Sequence, residues 1–405
     1  MKILHINKDY ADNGGTEQYL YDLCRALETH GHETVVIYGE KNENTWHVPG
    51  RSEYFVPGIH ASGSRANGSY LTSCIDIIER ENPDIINFHI TFNSDLIENL
   101  RRRRPLARSL HSPHLYCLRN KLFRTTDSVC GLPFGYNCLL NAYLRRCADP
   151  RPWNLVSAWQ RCDRELESNK KVPHTVVFSR YMKECLLQNK FEEDKITVLP
   201  YFTNRPVEIE EYDSSRERLG VDRSRDNLIL FVGRITREKG LGYLLRAVKQ
   251  VSVDYRLLII GDGWYLNRTK ALAKELGLGG RVEFPGWISN EQLGCYYSGC
   301  SVLVIPSIWP EPFGIVGLEA MSHAKPVVAF DVGGISEWLK DGETGFLVES
   351  KNVRKMAAKI ELLLRDKKLA GRMGEKGRVE VAEKFSPARH VSRLIEVYES
   401  AIESA

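Results

Sequence analysis

The sequence predicts an α/β protein made of two doubly wound parallel-sheet domains, and three observations carry that prediction. The chain has 405 residues, more than the ~250–300 at which a single hydrophobic core stops growing. Short apolar runs alternate with amphipathic stretches of helical period almost throughout, as in parallel strands joined by crossover helices. The rhythm breaks once, at 205–227, a stretch rich in charge and poor in apolar residues, and then restarts.

In chain order, Lys2–Asn7 reads as a strand, and a loop over Lys8–Gly15 leads into a helix from Thr16 to about Thr29 that ends near Gly31. Glu33–Tyr38 is the next strand. A helix near Ser73–Arg80 precedes a strand at Asp84–His89, and another strand ends before His111. His174–Ser179 and Ile196–Phe202 close the first half. The stretch 205–227 reads as a linker with a short helix. In the second half Leu228–Val232, Arg256–Ile260, Val282–Phe284, Ser301–Ile305, Val327–Phe330 and Gly345–Val348 read as strands. Helices are expected at Leu241–Val251, Leu266–Leu276, Glu291–Ser298 and Gly314–His323, and three more finish the chain, the last near Pro387–Ile402.

Composition narrows the function classes. Hydrophobic residues make up 42% and aromatics 10%, enough for two cores. No apolar run approaches the ~20 residues of a membrane span, and the first residues enter a strand with no room for a secretion signal. Ten cysteines in such a chain suggest reduced thiols and a cytoplasmic protein. The net charge of +4 conceals fifteen Lys and Arg against five acids between Arg101 and Lys171, a local net of +10. No zinc-finger or RNA-binding pattern accompanies that block, so nucleic acid is not an expected partner. Its opening run, Arg101-Arg102-Arg103-Arg104, is suited to peripheral contact with an anionic membrane at the inner face.

The residues that carry chemistry stand where strands end. Pro310-Glu311-Pro312-Phe313-Gly314-Ile315-Val316-Gly317-Leu318-Glu319 follows an apolar strand and opens a helix. Glu311 falls on the loop, and Glu319 about two turns into the helix. The backbone N–H groups of Gly314, Ile315 and Val316 form an anion-receiving nest at the helix N-terminus. An acid, an amide nest and a second acid suit a ligand with hydroxyls at both ends and phosphates between, the layout of a nucleotide sugar. After another strand comes Gly233-Arg234-Ile235-Thr236-Arg237-Glu238-Lys239-Gly240, where Arg234 can grip phosphate bidentately and Lys239 adds a point charge. Gly14-Gly15-Thr16 follows the first strand, and glycine there lets the backbone approach a ligand.

The Glu-x7-Glu spacing with Pro-Phe-Gly inside, and the Gly-Arg-x-x-x-x-Lys-Gly loop, resemble the signatures of the family 4 retaining glycosyltransferases of the GT-B fold. The resemblance covers nearly the whole chain and is most specific in the second half. It implies two Rossmann-like domains facing across a cleft. Residues 1–204, completed by a returning helix over 386–405, would form the acceptor-side domain, and 205–385 the nucleotide-sugar domain. It implies that Arg234 and Lys239 stabilise the departing diphosphate, that Gly15 closes over it, and that His111 reaches the transferred sugar. Glu311 would orient the sugar hydroxyls and Glu319 accept the ribose hydroxyls. The expected reaction is transfer of a hexosyl group from a nucleotide diphosphate sugar to a glycan, lipid-linked or cell-envelope acceptor. No Asp-x-Asp occurs, so neither metal nor cofactor is expected to serve it.

Rival readings share the architecture. A sugar-nucleotide epimerase or a phosphorylase-like enzyme would do so, though no pyridoxal lysine motif is found. A non-catalytic nucleotide-sugar-binding subunit would be expected to lack one of Glu311, Arg234 or Lys239. Cys117, Cys130, Cys138 and Cys147 lie in one loop-rich stretch without a Cys-x-x-Cys, and buried reduced thiols are preferred there to a metal site.

Overall fold

Strands buried on both faces read as continuous apolar runs, and those runs become two all-parallel sheets in the computed structural model of the chain. The structure describes residues 1–12, 14–60, 69–119, 121–203 and 227–404. The expected linker with its short helix lies outside the described residues, apart from Asn227. The chain forms two compact units, one of Met1–Tyr201 with Pro387–Ala405 and one of Phe202–Ser386.

The first unit is built on β1 (Lys2–Asp9), β2 (Glu33–Glu40), β3 (Ser52–Phe55), β4 (Ile85–Phe88) and β5 (Leu106–Leu110). A small antiparallel hairpin follows, β6 (Leu122–Phe123) with β7 (Ser128–Val129), and then β8 (His174–Val177) and β9 (Ile196–Val198) complete the sheet. Its strand order is β3-β2-β1-β4-β5-β8-β9. The helices are α1 (Gly15–Thr29), α2 (Ser69–Glu81), α3 (Ser94–Leu100), α4 (Asn137–Leu144), α5 (Pro152–Asn169) and α6 (Arg180–Gln188). Helix α1 buries Tyr19, Leu20, Leu23, Cys24 and Leu27, one stripe at helical spacing.

The second unit has β10 (Leu228–Val232), β11 (Arg256–Ile260), β12 (Val282–Gly286), β13 (Val302–Ile305), β14 (Val327–Phe330) and β15 (Gly345–Val348), in the order β12-β11-β10-β13-β14-β15. Around it lie α7 (Leu241–Val248), α8 (Leu266–Glu275), α9 (Asn290–Gly299), α10 (Ile315–Ser322), α11 (Val353–Arg365) and α12 (Lys367–Lys384). The last helix, α13 (Pro387–Glu403), belongs to the first unit. It buries His390, Val391, Leu394, Val397, Tyr398 and Ala401 and packs on α1 and β5. His390 ties it down, with Nδ1–H donating to the Pro200 carbonyl and Nε2 accepting from the Tyr19 hydroxyl, both at 2.8 Å.

Some elements depart from expectation. The strand expected over Ile196–Phe202 stops at Val198, and the helix expected to reach Val251 stops at Val248. The residues between His89 and Val172 hold three helices and the hairpin that periodicity did not reveal. Two of those helices leave apolar side chains on their outer faces, which blurs the hydrophobic pattern.

Tight packing fixes the helix that carries Glu319. A Cβ at Gly317 would lie 2.0 Å from the Trp338 ring, and that ring is pinned by its N–H donating to the Phe313 carbonyl at 2.6 Å. Alanine is a better helix former than glycine by about 1 kcal/mol, but forcing a methyl into a filled core costs about 1–3 kcal/mol. Gly317→Ala is therefore expected to lower the urea midpoint rather than raise it.

Candidate active site

In the second unit the chain runs from β10 outward to β11 and β12, then returns to β13 on the other side of β10. The loops after β10 and β13 thus leave adjacent strand ends in opposite directions. Open α/β sheets bind ligands at the carboxyl edge of such a switch point. These two loops hold Arg234, Lys239, Glu311 and Gly314. The Ile308 N–H donates to the Glu238 carbonyl at 3.0 Å and joins one loop to the other.

Glu311 is the centre of the arrangement. It is only 4% exposed. Its Oε1 accepts from Lys239 Nζ at 2.7 Å and from the Ser307 hydroxyl. A third loop, after β14, clamps its backbone. The Gly334 N–H donates to the Glu311 carbonyl at 2.8 Å, and a Cβ at Gly333 (φ 59°) would fall 2.2 Å from that same oxygen. Only glycine allows that approach without strain. A carboxylate this buried needs its cation, since removing one partner of a buried pair costs about 3–5 kcal/mol.

Gly314, at φ 90°, caps α10. Among the described residues nothing accepts from the N–H groups of Gly314, Ile315 or Val316, so the nest predicted there is open. Glu319 is the fifth residue of α10, a little over one turn in rather than two. It is 8% exposed, and the Tyr297 hydroxyl on α9 donates to its Oε2 at 2.6 Å. The Arg234 side chain is exposed and makes no ion pair among the described residues. The second unit thus brings two carboxylates, two cations and an open amide turn to one sheet edge. Ser307 and Tyr297 were missed from sequence: Ser307 meets Glu311 through a turn of their shared loop, Tyr297 meets Glu319 from the neighbouring helix, and no local motif marks either.

The first unit holds a buried relay at its own switch point, between β1 and β4. His5 Nδ1 meets His89 Nε2 at 3.0 Å, His89 Nδ1 meets His111 Nε2 at 2.9 Å, and His111 Nδ1 meets the Tyr201 hydroxyl at 2.6 Å. The Asn87 amide nitrogen also lies 3.3 Å from His89 Nε2. Burial pushes His5 and His111 down to about 3, and His89 well below its ordinary value. Arg108, fully buried beneath, donates to the His89 and Thr91 carbonyls at 2.9 Å each and holds the loop after β4. His111 is thus a 5% exposed ring with both nitrogens engaged, stacked on Phe178 at 4.6 Å. Contact between its ring and a sugar would require one of those bonds to open. Gly14 and Gly15 sit at the start of α1, where a Cβ at Gly14 would lie 2.5 Å from the Glu17 carboxylate.

Two other features take definite places. Cys117, Cys130, Cys138 and Cys147 are free thiols, and burial raises Cys117 and Cys147 to about 11. Among the described residues no group of three or more His, Cys, Asp or Glu is arranged to hold a metal ion, and no helix is long and apolar enough to cross a membrane. In the arginine run, Arg101 pairs with Glu98 at 2.9 Å, Arg103 pairs with Glu79 at 3.1 Å, and Arg104 donates to Asn82.

Fold and site together define a GT-B glycosyltransferase, and comparison with known proteins supports that class along the whole chain. The family model described as Glycosyltransferase Family 4 matches residues 13–204, and that described as Glycosyl transferases group 1 matches 215–380. An uncharacterized glycosyltransferase of Methanocaldococcus jannaschii is 33% identical, with 100% of this chain and 99% of that one covered. The chain belongs to this glycosyltransferase family. Among solved structures, sucrose-phosphate synthase from Thermosynechococcus elongatus superposes with a TM-score of 0.76 at 22% identity, over 100% of both chains. Anabaena HepE in complex with UDP-glucose gives 0.74 at 17% identity, over 99% of this chain and 100% of that one. At these identities the structural likeness speaks for the fold.

The histidine relay makes a testable demand on pH. These rings are neutral when folded but titrate near 6.5 when unfolded, so the unfolded chain binds more protons below that pH. Their stabilising contribution is complete above pH ~6.5 and is lost as pH falls toward the depressed folded values, each ring contributing up to about 1.4 kcal/mol per pH unit. Urea midpoints measured from pH 7.5 down to pH 4.5 should fall steadily. The fall should be shallower in His5→Gln, which removes one titrating ring.

Proposed function

We propose that the chain is a retaining, metal-independent hexosyltransferase acting on a nucleotide diphosphate sugar. The observation that carries this reading is the Lys239–Glu311 pair beside the open amide turn of α10, with Glu319 on the same helix and Arg234 exposed on the neighbouring loop. The donor diphosphate is assigned to Arg234, Lys239 and the N–H groups of Gly314, Ile315 and Val316. Glu319 takes the ribose hydroxyls, and Glu311 takes hydroxyls of the sugar. The fold shared with HepE, which was solved with UDP-glucose, supports a donor of that class.

In this reading the acceptor hydroxyl attacks the anomeric carbon on the face the diphosphate leaves. The bond from that carbon to the phosphate oxygen breaks, a bond to the acceptor oxygen forms, and the departing phosphate takes the acceptor's proton. No protein nucleophile is needed. The two cations and the amide turn meet the charge that grows on the leaving group, the term that usually dominates such catalysis. The acceptor is a glycan, either lipid-linked or of the cell envelope, and is given to the first unit. Gly15 is carried into the proposal by family likeness. His111 enters as a positioning residue, because its ring nitrogens are occupied by His89 and Tyr201. Contact with an anionic membrane was expected at Arg101–Arg104. Three of those four side chains already hold partners within the protein.

Hydrolysis of a panel of nucleotide sugars by purified protein identifies the donor and tests the class. With that donor's nucleoside diphosphate in calorimetry, Glu319→Ala should weaken binding by about 1.5–3 kcal/mol, the value of a hydrogen bond to a charged acceptor. Glu311→Ala should leave binding nearly intact and lower turnover. Equal loss of affinity in both variants would contradict the assignment.

Arg234→Ala should lower turnover by about 10²-fold or more, as when one transition-state donor is removed. Activity should also persist in a chelator. Loss of turnover on chelation, with the circular dichroism spectrum unchanged, would overturn the metal-free mechanism.

A further inference from the structure

The first unit carries an apolar surface that its own core does not use. Helix α4 and the residue before it place Tyr136, Leu140, Tyr143 and Leu144 on one face at helical spacing, between 57% and 79% exposed. The first turns of α5 add Trp153, at 89%, and Val156, at 44%. The two helices pack on each other through their opposite faces, where Ala142, Leu155 and Leu166 are buried. The exposed face rests on a firm base. Tyr136 stacks on Trp159 at 5.2 Å, Trp159 stacks on Phe134 at 5.5 Å, and the Trp159 N–H donates to the Gly135 carbonyl at 3.0 Å. Single exposed apolar residues are ordinary on protein surfaces, whereas a group of this size marks a docking surface.

Charge identifies the occupant. Residues 115–164 carry eight Lys and Arg against three Asp and no Glu. Arg145 and Arg146 close α4, and Arg161 and Arg164 extend from α5, all four exposed. Aromatic and aliphatic side chains flanked by arginines match the chemistry of an anionic lipid surface, with rings at headgroup level and cations against phosphate. A second copy of the chain would set the same arginines against one another about a two-fold axis. The Arg101–Arg104 run lacks such a face and is largely tied to acids and amides of its own unit.

We propose that the α4–α5 face docks this unit onto an anionic membrane. The inference rests on the proposed function, narrows its acceptor to the lipid-linked one, and places the membrane contact away from Arg101–Arg104. The outer side chains of α4 and Trp153 enter the headgroup region, and Arg145 and Arg146 pair with lipid phosphates.

Co-sedimentation of the full chain with acceptor-free phosphatidylglycerol vesicles tests it, with phosphatidylcholine vesicles as the reference. The wild type should bind the anionic vesicles, and more weakly at high salt. The triple variant Leu140→Ser, Leu144→Ser, Trp153→Ser should lose about 10-fold or more of its partitioning, given the apolar area withdrawn. Arg145→Gln with Arg146→Gln should lose on the order of 10-fold on anionic vesicles only. Changing Arg101–Arg104 to glutamine should alter binding by less than about 3-fold, because charge outside the docked face is screened within a Debye length. Thermal melts establish that each variant is folded. The proposal is overturned if the wild type ignores anionic vesicles, or if the folded triple variant binds as well as the wild type. It is also overturned if the wild type is a dimer that the triple variant dissolves, with neither binding lipid. Calorimetry with nucleoside diphosphate on the same variants separates the two claims. Donor binding that fails while vesicle binding holds counts against the proposed function alone.

Discussion

The Glu311 carboxylate is the constraint on which the second unit's site depends. A charge this buried is unfavourable unless it is paired and hydrogen-bonded. Lys239 and Ser307 meet that need from the loops on either side of the switch point. Because Lys239 follows β10 and Glu311 follows β13, their pairing draws two divergent loops together. The loop after β14 completes the clamp through Gly333 and Gly334. The same packing leaves the first amides of α10 open and holds Glu319 one turn further on. These features of the sheet edge thus gather around one buried charge and its partners.

The first unit solves a different problem. Its switch point is lined with imidazoles, and burial keeps them neutral, so that they form a continuous chain of hydrogen bonds from His5 through His89 and His111 to Tyr201. A fully buried arginine, Arg108, is lowered to about 9 by that burial and is spent on backbone carbonyls rather than on a ligand. The second unit therefore presents paired charges and open donors, while the histidines and Arg108 of the first are buried and bonded to one another, to Tyr201 and to backbone carbonyls. Its exposed chemistry lies instead on α4 and α5, where apolar rings and arginines face solvent.

Much of this was legible in the sequence because the strands are buried on both faces and read as uninterrupted apolar runs. Five of the six strands of the second unit begin where or within one residue of where such a run begins and end with it. The sixth, β12, runs two residues past Phe284, through a proline and a glycine. Glu311 was legible too, since an acid wedged between prolines at a strand's end has no helical reason to be there. The partners were not legible. Tyr297 reaches Glu319 only because α9 packs beside α10, Ser307 meets Glu311 through a turn of their shared loop, and His5 looks like an ordinary strand residue until β1, β4 and β5 lie side by side. The segment from 90 to 172 was obscured because α4 and α5 expose apolar residues, so their pattern does not separate an inner face from an outer one. The arginine run was legible in part, since sequence shows its charge but not the acids that Arg101 and Arg103 meet.

The central claim is that Lys239 and Glu311 act as one unit on the donor, and a double-mutant cycle on turnover tests it most directly. Lys239→Met, Glu311→Gln and the double variant would be compared with wild type using whichever nucleotide sugar the enzyme turns over. Residues acting as a unit are strongly non-additive. The account predicts that the double variant is about as slow as the slower single variant. Losses that multiply, so that the double variant shows the full product of the two, would mean that the pair has no joint role and would contradict it.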